Sequence, residues 1–345
     1  MREPVDVLIA EEVYAPVLEE IRRHEGRLRL KIIPRQERSR TLDLELLGDP
    51  EILMATFPPR NLRDLGRLRW LQLGSAGYEQ IFDLPVVEMG ITVTNASGVS
   101  DVPIAEWCLL MMFLFERDFR RVLDNQSARL WDRDPKFQSE LRGRLVGIFG
   151  YGSIGREVGR QCRALGLRIW VMNRSAIGRR NNRFLVEGTG DPDGTLPERV
   201  FRLDEMEEFL PPLDYLVLAL PRTPRTEGIL GEYHLRLLKP SAVLLNAARA
   251  ELVEESALLA VLRENRIAGA ALDVHYRFPL PAGHPFWELQ NVILTPWISG
   301  STGSPYYLQR LWRLFKENLG RYLAGAPLLN VIPPQELVRE HRGTA

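Results

Sequence analysis

The chain has 345 residues, enough for two domains of ordinary size, each with a substantial core. Lys plus Arg and Asp plus Glu both number 45, so the formal charge is zero, with no general electrostatic footprint for nucleic acid or an anionic membrane. Two cysteines, Cys108 and Cys162, sit in apolar, helix-like segments; they suggest neither a disulfide framework nor a metal site, and a reducing cytoplasm fits.

MREPVD leads straight into the strand-like run VLIA, without the pattern of a signal peptide. Over the first hundred residues VDVLIA, LRLKII, ILMATF, LRWLQL and ITVTN read as strands. Residues 11–24 and 61–68 read as helices between some of them, the β-α-β rhythm of a parallel sheet covered on both faces. A helical zone follows over 102–128. Its apolar run WCLLMMFLF (107–115) is too short to span a bilayer and reads as a buried helix. RLVGIFG (144–150) begins a second β-α series, continued by LRIWVM, DYLVLAL, AVLLNA, IAGAALDV and NVILTP. Residues 176–200 are polar and contain Gly and Pro, so they read as a surface excursion. Residues 305–324 read as a helix with a Trp/Leu/Phe/Leu face, and the charged tail after 333 as loose.

Residues 150–155 read GYGSIG between a strand and a helix, the order that makes a GxGxxG motif specific for a dinucleotide. Gly150 permits the tight turn, Gly152 lets the backbone approach a pyrophosphate, and Gly155 allows close helix–strand packing. The N–H groups of Ser153, Ile154 and Gly155 at the helix start would face the phosphates. The next strand ends in Asn173, Arg174 and Ser175, where an NAD-preferring site places an acid for the ribose 2′-OH. No carboxylate repels a 2′-phosphate there, and Arg174 is available to bind one, with Arg179 and Arg180 adding positive charge. NADP(H) is therefore favoured over NAD(H); a solvated loop arginine is the alternative.

Several ordered stretches carry a resemblance. LQLGSAGYEQI (71–81), ITVTNASG…IAEWCL, the fingerprint, LALPRTPRTEGIL (218–230), LLNAARAELVEESAL (244–258), AGAALDV (268–274), HPFWEL and NVILTP resemble signatures of the D-isomer-specific 2-hydroxyacid dehydrogenases, nearly end to end. By that resemblance Ala76 and Gly77 offer backbone N–H groups to a substrate carboxylate. Arg249 binds the carboxylate and polarises the 2-oxo group, a bidentate task suited to a guanidinium. Asp273 orients the nicotinamide amide, and Leu220, Pro221, Thr226, Ala247 and Ala248 line the cofactor cleft.

Two positions depart from the family pattern. The family's TP pair precedes the histidine that acts as general acid, and here that position is Trp297. The family's glutamate, which partners that histidine and raises its pKa, falls at Phe278. Without the histidine an isolated buried carboxylate is costly, so the joint loss is physically coherent. A positioned acid contributes roughly 10²–10⁴ in rate. His275 shares the side of Asp273 if the strand continues, and is a candidate replacement acid. Tyr306 and Tyr307 are weaker candidates. His284 reads as structural, and His24 and His234 as surface residues.

The reading is an α/β chain of two doubly wound parallel-sheet domains, Rossmann-like and flavodoxin-like. The substrate domain is discontinuous (1–101 and 299–345), with a dinucleotide-binding domain at 102–298. Two functions remain open. One is an NADP(H)-dependent oxidoreductase for a small 2-oxo or 2-hydroxy acid, like a glyoxylate/hydroxypyruvate reductase, with weakened proton chemistry. The other is an inactive NADP(H)-binding sensor or scaffold. The resemblance further implies a homodimer built through the cofactor domain; the cysteine usage fits a cytoplasmic protein and suggests no metal.

Overall fold

The computed structural model describes residues 3–23, 26–134, 136 and 138–337; His24 and the end of the charged tail lie outside them. The described residues form two compact units: those of 3–100 with 181–186 and 302–337, and those of 101–180 with 187–301.

The first unit contains β1 (Val5–Ile9), β2 (Leu28–Ile32), β3 (Ile52–Met54), β4 (Trp70–Gln72) and β5 (Thr92–Thr94), all parallel in the order β2-β1-β3-β4-β5. Central strands such as β3 are buried throughout, because both sheet faces are covered. On one face lie α1 (Ala15–Arg22) and the C-terminal helix Pro305–Ala324, whose Leu311, Trp312, Phe315 and Leu319 meet Trp70 in a single core. Ser304 caps that helix, accepting from Tyr307 N at 3.3 Å, and Gly325 ends it in the left-handed region. The helix expected at 61–68 is a single 3-10 turn, Leu62–Asp64.

The second unit begins with two helices, Asp101–Glu116 and Phe119–Ser127, where one helical zone was expected; Asp118 between them has φ +39°. Its sheet contains β6 (Leu145–Phe149), β7 (Arg168–Met172), β8 (Arg199–Phe201), β9 (Tyr215–Leu218), β10 (Val243–Asn246), β11 (Gly269–Leu272) and β12 (Val292–Leu294). The order β12-β11-β10-β9-β6-β7-β8 is the dinucleotide-binding order with one strand added. β8 was not foreseen. Helix Ser153–Ala164 packs against Asp101–Glu116 through the core holding Ala105, Cys108, Val158 and Cys162. Burial raises both thiols, Cys162 to about 12, so neither is poised to react.

One other expectation needs correction. The run 107–115 is not wholly buried: Trp107, Cys108, Met111 and Met112 are, but Leu110 is 52 % and Phe113 41 % exposed. With Phe119, Leu123, Leu130 and Trp131 they leave many apolar side chains exposed in one stretch of the second unit. The 176–200 excursion is held by hydrogen bonds. In the first unit, Phe184 N donates to Asn330 Oδ1 at 3.1 Å, and Asn330 N to Asn182 O at 3.0 Å. In the second, buried Asp191 accepts from Thr195 N at 3.0 Å and Leu196 N at 3.1 Å.

Candidate active site

The sequence Gly150-Tyr151-Gly152-Ser153-Ile154-Gly155 turns β6 into the following helix. Gly150 has φ +98°, and a Cβ there would stand 2.7 Å from Ala219 O. A Cβ on Gly155 would meet Gly150 O at 2.2 Å, so helix and strand approach as closely as backbone allows. Gly152 differs: the nearest atom to its notional Cβ is Arg180 Nη1, at 3.9 Å. The N-cap at Gly152 supplies no side chain to the first-turn N–H groups of Ser153, Ile154 and Gly155. Such a cradle fits an anionic diphosphate.

Arg180 reaches the loop for a traceable reason. Arg156, 4 % exposed, donates to the carbonyls of Asp191 and of Gly178, the latter at 2.7 Å. Tyr151 Oη donates to Asp191 Oδ2 at 2.8 Å. The fingerprint thus pins the excursion that carries the arginines. Asn173 joins in, accepting from Tyr151 N at 3.3 Å and donating to Ser175 O at 2.8 Å. Arg174 is exposed at the strand end, and Arg179 pairs with Asp193 at 3.9 Å.

Three further loops leave the same sheet at strand carboxyl ends. After β9, Leu220 is half-buried, and Thr226 Oγ1 donates to Pro221 O at 2.8 Å. After β10, Asn246, which sequence reasoning missed, shapes Ala247–Arg249: its Nδ2 donates to Arg249 O at 2.9 Å and its Oδ1 accepts from Ala248 N at 3.1 Å. A lone amide ending the apolar run AVLLN was the available signal. Half-buried Arg249 donates to Ala248 O at 2.6 Å.

Asp273, fully buried after β11, holds the loop after β12. Its carboxylate accepts from Thr295 Oγ1 at 2.6 Å, Ile298 N at 2.9 Å and Ser299 N at 2.9 Å, while its carbonyl accepts from Trp297 N at 2.9 Å. This grip places Trp297 at φ +58° with its side chain 55 % exposed. Phe278 meets it edge-on, ring centroids 5.3 Å apart at 83°. Arg249 Cζ lies 6.0 Å from the Trp297 ring centre. Positions 278 and 297 are thus neighbours in space, beside the arginine.

His275 is differently engaged. Its Nε2 lies 2.9 Å from the Thr295 carbonyl, so that nitrogen carries the proton and donates it there. Its Nδ1 is buried without a partner. The ring therefore presents no proton to an open site. His284 bonds Glu255 at 2.6 Å and is buried, a structural role. Burial raises the Tyr307 phenol, which donates to Gly74 O in the first unit, and Tyr306 is exposed.

In the first unit the carbonyls of Ala76 and Gly77 are held by Asn95 Nδ2 and Ser75 Oγ, each at 2.7 Å. No protein acceptor among the described residues takes their N–H groups. Sequence reasoning missed Glu11 nearby in this unit, having assigned it to a helix. Glu11 and Thr56 follow β1 and β3, the pair between which the strand order reverses and where open α/β sheets bind ligands. Thr56 N donates to the Glu11 carboxylate, and Arg35 Nε lies 3.5 Å from it. A Cβ on Gly74 would stand 2.2 Å from Thr56 Oγ1 and 2.7 Å from Glu11 Oε1. Burial, opposed by Thr56 and Arg35, pushes the Glu11 carboxyl above its ordinary 4.5. The folded pKa is the higher one. The stability this group contributes is therefore full below the ordinary value and is lost as pH rises through the raised one. Glu11→Gln should flatten that loss. Parallel melting-temperature curves for wild type and variant from about pH 4 to about pH 8 would refute the assignment.

Fold and site together define a dinucleotide-binding α/β protein. Residues 109–299 match the D-isomer specific 2-hydroxyacid dehydrogenase NAD binding domain, and the chain belongs to that family. The D-3-phosphoglycerate dehydrogenase of Methanocaldococcus jannaschii is 28 % identical over 87 % of this chain, which spans only 55 % of that longer protein. The glyoxylate reductase of Aeropyrum pernix is 31 % identical over 79 % of this chain and 77 % of its own. Among solved structures, an acyclic imino acid reductase in complex with NADPH and D-Arg is similar at a TM-score of 0.75 and 26 % identity, covering 95 % of this chain and all (100 %) of that one. Among the described residues no helix is long and apolar enough to cross a membrane, and no cluster of metal-ligating side chains occurs.

Proposed function

We propose that the chain is an NADP(H)-dependent oxidoreductase acting on a small 2-oxo or 2-hydroxy acid without the family's acid dyad. The contact between Phe278 and Trp297 beside Arg249 carries this reading, because the resemblance puts the glutamate and histidine at those two positions. The nicotinamide supplies hydride when bound. Gly150, Gly152 and the first helical turn would hold its diphosphate, and Arg174 and Arg180 would supply positive charge for a 2′-phosphate. Leu220, Pro221, Thr226, Ala247 and Ala248 would line its cleft, and Asp273 would set the nicotinamide side. Arg249 would take the substrate carboxylate in the second unit, and the first unit, with the backbone N–H groups of Ala76 and Gly77, is read as the substrate domain by the resemblance. A neighbour solved with NADPH supports the phosphorylated cofactor. That this neighbour reduces imino acids also supports a site of this fold turning over carboxylates other than 2-oxo acids.

The protein works in the cytoplasm as a homodimer. The exposed Leu110, Phe113, Phe119 and Leu123 support self-association through the second unit, and a solution mass of one chain would remove that part of the proposal. A sensor or scaffold without turnover is the second reading, favoured by the same aromatic pair. It requires tight NADPH binding with no substrate consumption.

Calorimetric titration tests the cofactor. NADPH should bind about tenfold or more tightly than NADH, the effect of one charge-assisted contact. Arg174→Ala and Arg180→Ala should each narrow the gap. Equal affinities in the wild type would sink the assignment.

A further inference from the structure

The arginine of the carboxylate clamp is present, while the two positions where the resemblance puts the acid dyad are the touching aromatics Phe278 and Trp297. Two titratable side chains on the loops that hold Trp297 are engaged within the protein. Asp273 accepts from three protein donors, His275 donates to the Thr295 carbonyl, and a guanidinium does not give up its proton. What faces outward is aromatic: Phe278 is 69 % and Trp297 55 % exposed.

A carbonyl and an iminium make different demands on such a site. Hydride addition to a ketone leaves an alkoxide, which needs a proton from a positioned acid. An iminium already carries its proton on nitrogen. Hydride delivered to C2 forms the C–H bond, the C=N π pair moves onto nitrogen, and a neutral amine results. The reductant is the reduced nicotinamide, oxidised by two electrons, and no proton need be supplied.

Charge recognition points the same way. The Trp297 ring already has one cation, the Arg249 guanidinium, 6.0 Å from its centre. Aromatic faces attract cations, and desolvation strengthens the attraction. A substrate whose carboxylate binds Arg249 and whose nitrogen cation rests on Trp297 satisfies both groups. A neutral 2-oxo group gains nothing from that wall.

We propose that the preferred substrate is a 2-imino acid in its iminium form, condensed from a 2-oxo acid and an amine, with Arg249 holding its carboxylate and the Trp297–Phe278 wall its cationic nitrogen. This rests on the cofactor reading above and narrows its substrate class.

The test has a binding arm and a turnover arm. N-Methylalanine, which carries the product's ammonium, and lactate are titrated into the wild-type NADP⁺ complex, followed by tryptophan fluorescence and calorimetry. N-Methylalanine should bind about tenfold more tightly, the scale of one cation–π contact. Trp297→Leu should erase the difference and Trp297→Phe should keep most of it. In turnover, pyruvate with methylamine should consume NADPH about 100-fold faster than pyruvate alone, within the range of an absent general acid, and should yield N-methylalanine by mass spectrometry. Equal binding of the two ligands, or pyruvate reduced equally without amine, overturns the proposal. If NADPH binds but methylamine changes nothing, this proposal alone falls. If NADPH does not bind, the cofactor reading falls and takes the proposal with it.

Discussion

Arg249→Ala should weaken oxalate binding to the cofactor complex about 10- to 100-fold, from loss of a charge-assisted hydrogen-bonded pair worth about 1.5–3 kcal/mol. The fold should survive. Arg249 is half-buried on a loop, and the shape of that loop is set by Asn246, whose amide grips Arg249 O and Ala248 N through groups the substitution leaves in place. Arg249→Lys makes the test sharper. Lysine restores the charge without the planar fork, so it should recover only part of the affinity if the clamp is bidentate. Calorimetry with oxalate reads all three proteins, and circular dichroism checks the fold. Oxalate binding to Arg249→Ala at wild-type affinity would remove the arginine from the site.

The strands of both sheets were legible because a parallel sheet buried on both faces writes itself as short apolar runs. The exception is β8. Its RVF sits at a sheet edge with Val200 43 % exposed, so neither length nor burial marked it. The break between the two helices of the second unit was illegible for another reason: it turns on Asp118 in the left-handed region, with no Gly or Pro to announce it. The phosphate loop was readable because Gly150 and Gly155 answer steric demands that no side chain meets, while Gly152 leaves the space beside the backbone open. Glu11 was not, since only the strand order shows that the end of β1 lies at a switch point. The dyad positions were paired in sequence only through resemblance. Their contact depends on Asp273 drawing the loop of Trp297 to the end of β11, and no pattern in the sequence records that bond network.

Restoring the acid dyad should produce the largest change in activity. Position 297 has φ +58°, and histidine is among the non-glycine residues that enter this region most readily, so Trp297→His suits the backbone. Alone it should gain little, because the edge of Phe278 leaves the imidazole in apolar surroundings that lower its pKa. Phe278→Glu alone adds a carboxylate with no proton relay to serve. Together they stand where the two rings now touch at 5.3 Å, close enough for the carboxylate to orient the imidazole and raise its pKa. The double variant should reduce glyoxylate with NADPH about 10²–10⁴-fold faster than the wild type, more than the two single effects combined. Its pH profile should show the fall of a titrating histidine, which the wild type should lack. If the natural substrate is an iminium, the double variant should also lose most of its dependence on added amine, because the carbonyl now has its own acid. The decisive measurement is kcat/KM for glyoxylate across pH in all four proteins, with and without methylamine. If the wild type already matches the double variant without amine, some other group supplies the proton. His275→Gln would then identify it or exclude it, since the Thr295 carbonyl must release that ring before it can act.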